Sequence, residues 1–337
     1  MTALHPWNQA RWKGLGPLLR LPASLLLVGP DGVGKSSFAK AVARALLCQQ
    51  LKQDGMACGE CMSCRLVLSD NHPDLRVLER TTEEEASPGA EVGEKAKSAS
   101  SAWIKVDAVR ALRDFLAFSA HLGGRKVVLV LEADRLHPSA ANALLKTLEE
   151  PPPATHFLLV TGHPTRLPVT VRSRCVPVLF PLPSEQEALT WLRERGVQRP
   201  ELALAQAGGA PLVAASLDTQ EYWLRRRQIL DLALTKRDFD VVAVIDRLGS
   251  DNIGELIGAL QRWVYDLLAT ASAGRIRYNP DCAQILHSLA ARASREAVLG
   301  FARDLAQVAR TLEHPLNGRL VAERCLIGYK SAVSMEA

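Results

Sequence analysis

A short apolar run, Leu25-Leu-Leu-Val28, leads directly into Gly29-Pro-Asp-Gly-Val-Gly34-Lys35-Ser36, and a helix-forming stretch continues from Lys35 to about Leu47. The turn matches G-x-x-x-x-G-K-[ST], in which small residues let backbone N–H groups wrap phosphate oxygens at the start of a helix. A buried strand feeding such a turn and helix is half of a βαβ unit, so it requires a parallel partner strand and a helix-covered sheet. Gly29, Gly32 and Gly34 form the expected cradle, Lys35 reaches the outer phosphates, Ser36 is the expected Mg²⁺ ligand and Ser37 stands beside it.

The following segments alternate in the way such a sheet demands. A helix is expected from about Val106 to Ala120, a buried strand over Lys126–Leu131, a helix capped by Ser139 and stopped by Pro151-Pro-Pro153, and a strand over His156–Val160. After Pro181 and Pro183 the strand signals fade: a small helical unit is expected from Ser184 to about Ala215. Apolar stripes at Leu256–Leu268 and Val298–Leu312, and a segment starting near Arg319, then read as a helical bundle. The expected domains are therefore 1–180, 181–215 and 216–337, in line with two or three for 337 residues.

With 47% hydrophobic and 23% charged residues the chain has the balance of an ordinary globular protein. No apolar run approaches the ~20 residues that span a bilayer, and Met1-Thr-Ala-Leu-His-Pro-Trp7 carries no export pattern, so a cytoplasmic protein without membrane contact is expected. The net charge of +5 permits contact with a polyanion without demanding it. Six acidic residues against three basic ones lie between Glu79 and Lys97, overlapping a stretch nearly empty of large apolar residues from Thr81 to Ser101 that reads as a mobile loop.

Hydrolysis at a phosphate loop needs a second strand ending in an Asp for the metal and a carboxylate for water. The candidate, Val127-Val-Leu-Val-Leu131-Glu132-Ala133-Asp134, has leucine where the Asp belongs. Leucine offers no oxygen to a hard cation. The expectation is nucleotide (ATP or ADP, with Mg²⁺) bound without turnover; Asp134 as substitute, and turnover, form the competing reading.

Cys58-Gly-Glu-Cys61-Met-Ser-Cys64 places three thiols at two-residue gaps. Four thiolates satisfy tetrahedral Zn²⁺, and a reducing compartment favours structural metal over disulfides. Cys48 is the expected fourth ligand, with His72 as the alternative. Cys175, Cys282 and Cys325 are scattered and are most simply small core residues.

Gly29–Ser36, the cysteine cluster, Ala141-Asn-Ala-Leu-Leu-Lys-Thr-Leu-Glu-Glu-Pro-Pro152 and Arg172-Ser-Arg-Cys175 occur in the order shown by the clamp-loader branch of the AAA+ ATPases, which the chain resembles from about Leu25 to Ala215. The likeness continues more weakly to Pro315-Leu-Asn-Gly-Arg-Leu320. It implies an AAA+ α/β core with an inserted zinc module, a helical lid and a helical collar that holds a ring together. Leu131, Gly162 and Gly208-Gly-Ala-Pro211 stand where motor subunits carry the metal Asp, a polar sensor and a sensor arginine. The resemblance therefore implies a non-motor subunit of the replicative polymerase's clamp loader, in a hetero-pentamer with gamma/tau motors and delta, loading the sliding clamp on primer-template DNA. Arg174 would be an arginine finger inserted into a neighbour's ATP site. A motor ATPase of the gamma/tau type, and a zinc-containing DNA-binding protein unrelated to clamp loading, are the competing readings.

Overall fold

A computed structural model of the chain describes residues 4–16, 21–80, 103–122, 124–249, 253–311 and 317–334. The acidic stretch from Thr81 to Ser101, and Pro315 and Leu316 of the run before Leu320, lie almost wholly or wholly outside the described residues. The chain divides into two compact units, Met1–Pro183 and Ser184–Ala337.

In the first unit five strands, β1 (Ser24–Val28), β2 (Leu75–Leu78), β3 (Lys126–Val130), β4 (Thr155–Thr161) and β5 (Val176–Leu179), form one parallel sheet of order β2-β3-β4-β1-β5. The three central strands are apolar on both faces because helices cover both. Leu25, Leu27, Val127, Leu129, Leu158 and Val160 face one core with Phe38 and Val42 of α2 (Lys35–Leu47), which follows α1 (Gln9–Gly14). Their neighbours Leu26, Val128, Val130, Phe157 and Leu159 point the other way. That face is covered by Val109 and Leu112 of α4 (Val106–Ala117) and by Leu144 and Leu148 of α5 (Pro138–Glu149). Between the sheet's first two strands lies α3 (Met62–Leu68), and α6 (Val169–Arg172) precedes β5.

One local expectation is corrected, and two strands join those expected. Ser139 does not cap α5: His137 is the N-cap, its Nδ1 accepts from the Ser139 N–H, and Pro138 opens the helix where a missing N–H costs nothing. Strands β2 and β5 form the two edges of the sheet, β2 interrupted by Arg76 and β5 by Pro177. Arg76 and Val77 are exposed in the first, and Pro177, Val176 and Leu179 in the second, as edge strands allow.

The second unit is helical: α7 (Glu185–Glu194), α8 (Pro200–Gln206), α9 (Pro211–Leu217), α10 (Gln220–Ile229), α11 (Val241–Leu248), α12 (Ile253–Ala273), α13 (Ala283–Ala290), α14 (Arg295–Thr311) and α15 (Gly318–Ser334). Ser184 and Glu187 cap the first of these reciprocally. The core closes around Trp263 and Tyr329, whose hydroxyl accepts from the indole N–H at 2.9 Å and donates to the Leu234 carbonyl at 2.6 Å. Segments expected as separate lid and collar fall in one unit here, because buried polar groups join them. Gln206 of α8 donates to the Tyr278 carbonyl (2.6 Å) and the Asn279 side chain (3.0 Å), and accepts from the Tyr222 hydroxyl (2.9 Å). Buried Asp266 in turn accepts the backbone N–H groups of Arg277, Tyr278 and Asn279. Among the described residues no helix is long and apolar enough to cross a membrane.

Candidate functional site

The phosphate loop runs from the end of β1 to the start of α2. Gly32 (φ 76°) and Gly34 (φ 84°) take left-handed backbone that a side chain would strain. At Gly29 a Cβ would lie 2.1 Å from the Phe180 carbonyl oxygen, so the strand end tolerates only glycine there. The Val33 carbonyl accepts from Trp7 Nε1 (2.9 Å) and Asn8 Nδ2 (3.0 Å), fastening the loop to the N-terminal segment. Lys35 is buried and donates to the Pro30 carbonyl at 2.6 Å, with Asp31 Oδ1 3.3 Å away. Burial pushes its ammonium below the usual lysine range, and the Asp31 carboxylate opposes that. Ser36 is exposed and Ser37 half-buried at the first turn of α2.

The groups that would complete a hydrolytic site are engaged elsewhere. Leu131 packs into the apolar core beside α2. Glu132 sits at φ 53° and its carboxylate forks with Arg80 at 2.5 and 3.1 Å. Asp134 is buried and accepts from Thr161 Oγ1 (2.6 Å) and the Gly162 N–H (3.3 Å), with His163 Nδ1 3.5 Å from its second oxygen. Burial opposes its ionisation, yet the Thr161 hydroxyl and the other donors hold the carboxyl below the usual range. A Cβ at Gly162 would meet the Asp31 carboxylate at 2.4 Å, so a larger residue there would displace Asp31. The loop and Lys35 are shaped for phosphate; of the carboxylates beside them, Asp31, Glu132 and Asp134 each have a protein partner.

The sulfurs of Cys48, Cys58, Cys61 and Cys64 lie within 4.8 Å of one another, with close pairs at 3.6, 3.9 and 4.0 Å. A tetrahedron of thiolates around zinc, with Zn–S of ~2.3 Å, has edges of about 3.8 Å, so the four thiols fit a metal ion. Backbone N–H groups of Cys58, Cys61 and Cys64 point at the sulfurs of Cys48, Cys58 and Cys61, respectively. The N–H groups of Cys61 and Glu60 bring the Cys58 thiol down to about 6, whereas burial pushes Cys64 up to about 12. One thiolate is thus ready at neutral pH, and a cation would have to draw the proton from the buried one.

Between the two candidates for fourth ligand, the structure brings Cys48 to the cluster and commits His72 elsewhere. The His72 Nε2 lies 2.6 Å from Ser63 Oγ, which donates to the Leu47 carbonyl, and its Nδ1 accepts the Asp74 N–H at 3.0 Å. Of the other cysteines, Cys175 and Cys325 are buried as expected, while Cys282 is only half-buried.

Arg174 follows α6, between exposed Ser173 and buried Cys175. Its side chain is 31% exposed; Nη1 donates to the Thr170 carbonyl at 2.8 Å, and Nη2 to the Glu149 carboxylate at the end of α5. Glu149 lies within the Ala141–Pro152 run, yet its pairing with Arg174 was not legible there, because the two meet only once α5 and α6 pack. Exposed Val169, Val176 and Leu179 lie on the adjoining helix and edge strand.

The chain is thus a parallel α/β unit with a phosphate-loop turn and a four-thiol cluster, followed by a helical unit. A family described as DNA polymerase III, delta subunit, matches residues 19–184, and its C-terminal counterpart matches residues 220–330. The DNA polymerase III subunit delta' of Yersinia pestis is 34% identical over 351 aligned positions, covering 98% of this chain and 96% of that protein. The same subunit from Pseudomonas aeruginosa is 41% identical over 235 positions, covering 68% of this chain and 66% of its own. The chain belongs to the DNA polymerase III subunit delta' family. The Haemophilus influenzae tau/gamma subunit is 35% identical over only 157 positions, 47% of this chain and 20% of that one.

Proposed function

We propose that this chain is the non-motor subunit of a clamp loader and that Arg174 completes the ATP site of a neighbouring motor subunit. The observation that carries the reading is a contrast within one unit: an intact phosphate loop lacks a metal carboxylate at Leu131, while a half-exposed arginine stands outside that site. A guanidinium brought to the γ-phosphate offsets charge that develops as the phosphoryl group transfers, so a subunit that hydrolyses nothing can still be needed for its neighbour's turnover. The partners are gamma/tau motors and delta in a hetero-pentamer, the sliding clamp and primer-template DNA, with residues 181–215 as lid and 216–337 as collar.

In this reading Cys48, Cys58, Cys61 and Cys64 hold Zn²⁺, which closes the 48–64 loop as a rigid knuckle and has no open position for chemistry. Gly29, Gly32, Gly34, Lys35, Ser36 and Ser37 hold ATP or ADP without turning it over. Lys35 must release the Pro30 carbonyl to reach a phosphate. The test is the clamp-stimulated, primed-DNA-dependent ATPase of the reconstituted assembly with Arg174→Ala. A loss of about tenfold or more with the assembly intact is expected of a removed finger; an unchanged rate rejects the reading.

A further inference from the structure

Arg174 and Glu149 are both mounted on the same apolar core. Leu144 and Leu148 of α5 and Val171 and Cys175 beside the arginine are buried in one cluster, so packing sets the distance between the two side chains before any partner arrives. Glu149 is the last residue of α5, where the negative end of the helix dipole disfavours a carboxylate. A guanidinium beside it offsets that penalty. Arginine has five N–H donors. Nη1 spends its pair on the Thr170 carbonyl and, at 3.5 Å, Ser173 Oγ; Nη2 gives one to Glu149; Nε is buried with no protein partner. The guanidinium plane is therefore fixed at two corners, and one Nη2 N–H stays uncommitted.

We propose that Glu149 is a positioning residue for the finger: it holds the Arg174 fork in the plane and rotamer from which the remaining Nη2 donor can meet a γ-phosphate. The proposal rests on the reading of Arg174 as a finger in trans. A long side chain presented from a surface otherwise samples many rotamers, and freezing one in advance reduces what ordering costs in the transition state. Glu149 touches neither nucleotide nor the reacting atoms. Its contribution is to the orientation of Arg174, so its effect should vanish when the arginine is gone.

The experiment compares ATPase kinetics of the assembled loader, with clamp and primed DNA, for the full-length chain and its Glu149→Ala, Glu149→Gln, Arg174→Ala and Glu149→Ala/Arg174→Ala variants. Glu149→Ala should lower kcat about three- to fivefold, the range an exposed ion pair can supply, with KM for ATP and ring assembly unchanged. Glu149→Gln keeps an acceptor oxygen at the same place and should recover most of that loss. In the Arg174→Ala background the Glu149→Ala change should do nothing further. A rate at or above wild type for Glu149→Ala overturns the proposal, as does a loss that persists without Arg174. If Glu149→Ala fails to assemble, Glu149→Leu, which keeps bulk at that position and also lacks an acceptor for Arg174, carries the same decision in both backgrounds. A flat Arg174→Ala result refutes the finger reading itself, and is distinct from a fall with Arg174→Ala and none with Glu149→Ala, which refutes only the role of Glu149.

Discussion

The phosphate loop and the cysteine knuckle are neighbours in sequence, both carried by short motifs, yet they differ in how much of their chemistry is local. All four sulfurs of the knuckle come from residues 48–64, and folding that one loop around α3 brings them within 4.8 Å. A phosphate loop supplies only the cradle. Its metal acid and water-orienting acid must arrive from β3 and β4, and there the chain offers Leu131, Glu132 held by Arg80, Asp134 held by Thr161, and Gly162. A complete local motif therefore establishes binding shape, and only the distant groups decide whether anything reacts.

The largest test of this contrast is removal of one thiol. Cys64→Ser should take bound metal from about one per chain to near none after dialysis, because structural zinc sites depend on the full ligand set. It should also open the 48–64 loop to protease, while the sheet, whose strands supply none of the four sulfurs, keeps its far-ultraviolet signal. Metal analysis beside limited proteolysis decides it; full retention of zinc by the variant would break the local, self-sufficient reading of the knuckle.

The same distinction explains what could be read without a structure. The central strands were legible because each of Leu25–Val28, Val127–Val130 and Phe157–Val160 is apolar throughout, as burial on both faces requires. Strand β2, with Arg76 and Val77 exposed, and β5, with Pro177, carry half that signal. The three-thiol spacing announced the knuckle, but the choice of Cys48 over His72 depended on where a histidine eight residues after Cys64 found its partners. Nothing in the local sequence says that Ser63 and the Asp74 N–H take both its nitrogens. Pairings across packed elements, Arg80 with Glu132 and Arg174 with Glu149, leave no local pattern either.

A second perturbation moves the phosphate site toward a motor. Leu131→Asp buries a carboxylate in the core beside α2, at a cost above the roughly 1–3 kcal/mol of an unpaired neutral polar group. No ATP turnover should appear in the isolated chain, because Glu132 stays paired with Arg80 and Asp134 with Thr161. Measurable Mg²⁺-dependent hydrolysis by the variant would mean that a single acid was all the site lacked.

A smaller effect separates the knuckle's support from its metal. Burial holds the His72 imidazole below its ordinary value of 6.5, with the Asp74 charge opposing. A depressed folded-state value means protonation favours unfolding. The stabilisation is fully present above the unfolded value of about 6.5 and is lost as pH falls below it toward the folded value. Protection of the amides across residues 63–75, taken as exchange relative to the intrinsic rate at each pH, should therefore fall between neutral pH and pH 5, because a proton on Nδ1 expels the Asp74 N–H. His72→Gln should flatten that dependence, at a constant cost of about 1 kcal/mol for the changed hydrogen bonds. An unaltered pH profile in the variant would move the acid sensitivity to the thiols.

The last change should be silent where a motor would fail. Lys35→Ala removes the one buried cation of the cradle, and ATP affinity of the isolated chain should fall about tenfold or more, the scale of a lost hydrogen bond to a charged group. Affinity before the change should depend little on Mg²⁺, since the acids nearby are already partnered. In the assembled loader the ATPase rate should not fall if, as proposed, turnover belongs to neighbours whose phosphates meet Arg174 rather than Lys35. A loss matching that of Arg174→Ala would make the two regions one functional site, and would return the chain to the motor class that Leu131 argues against.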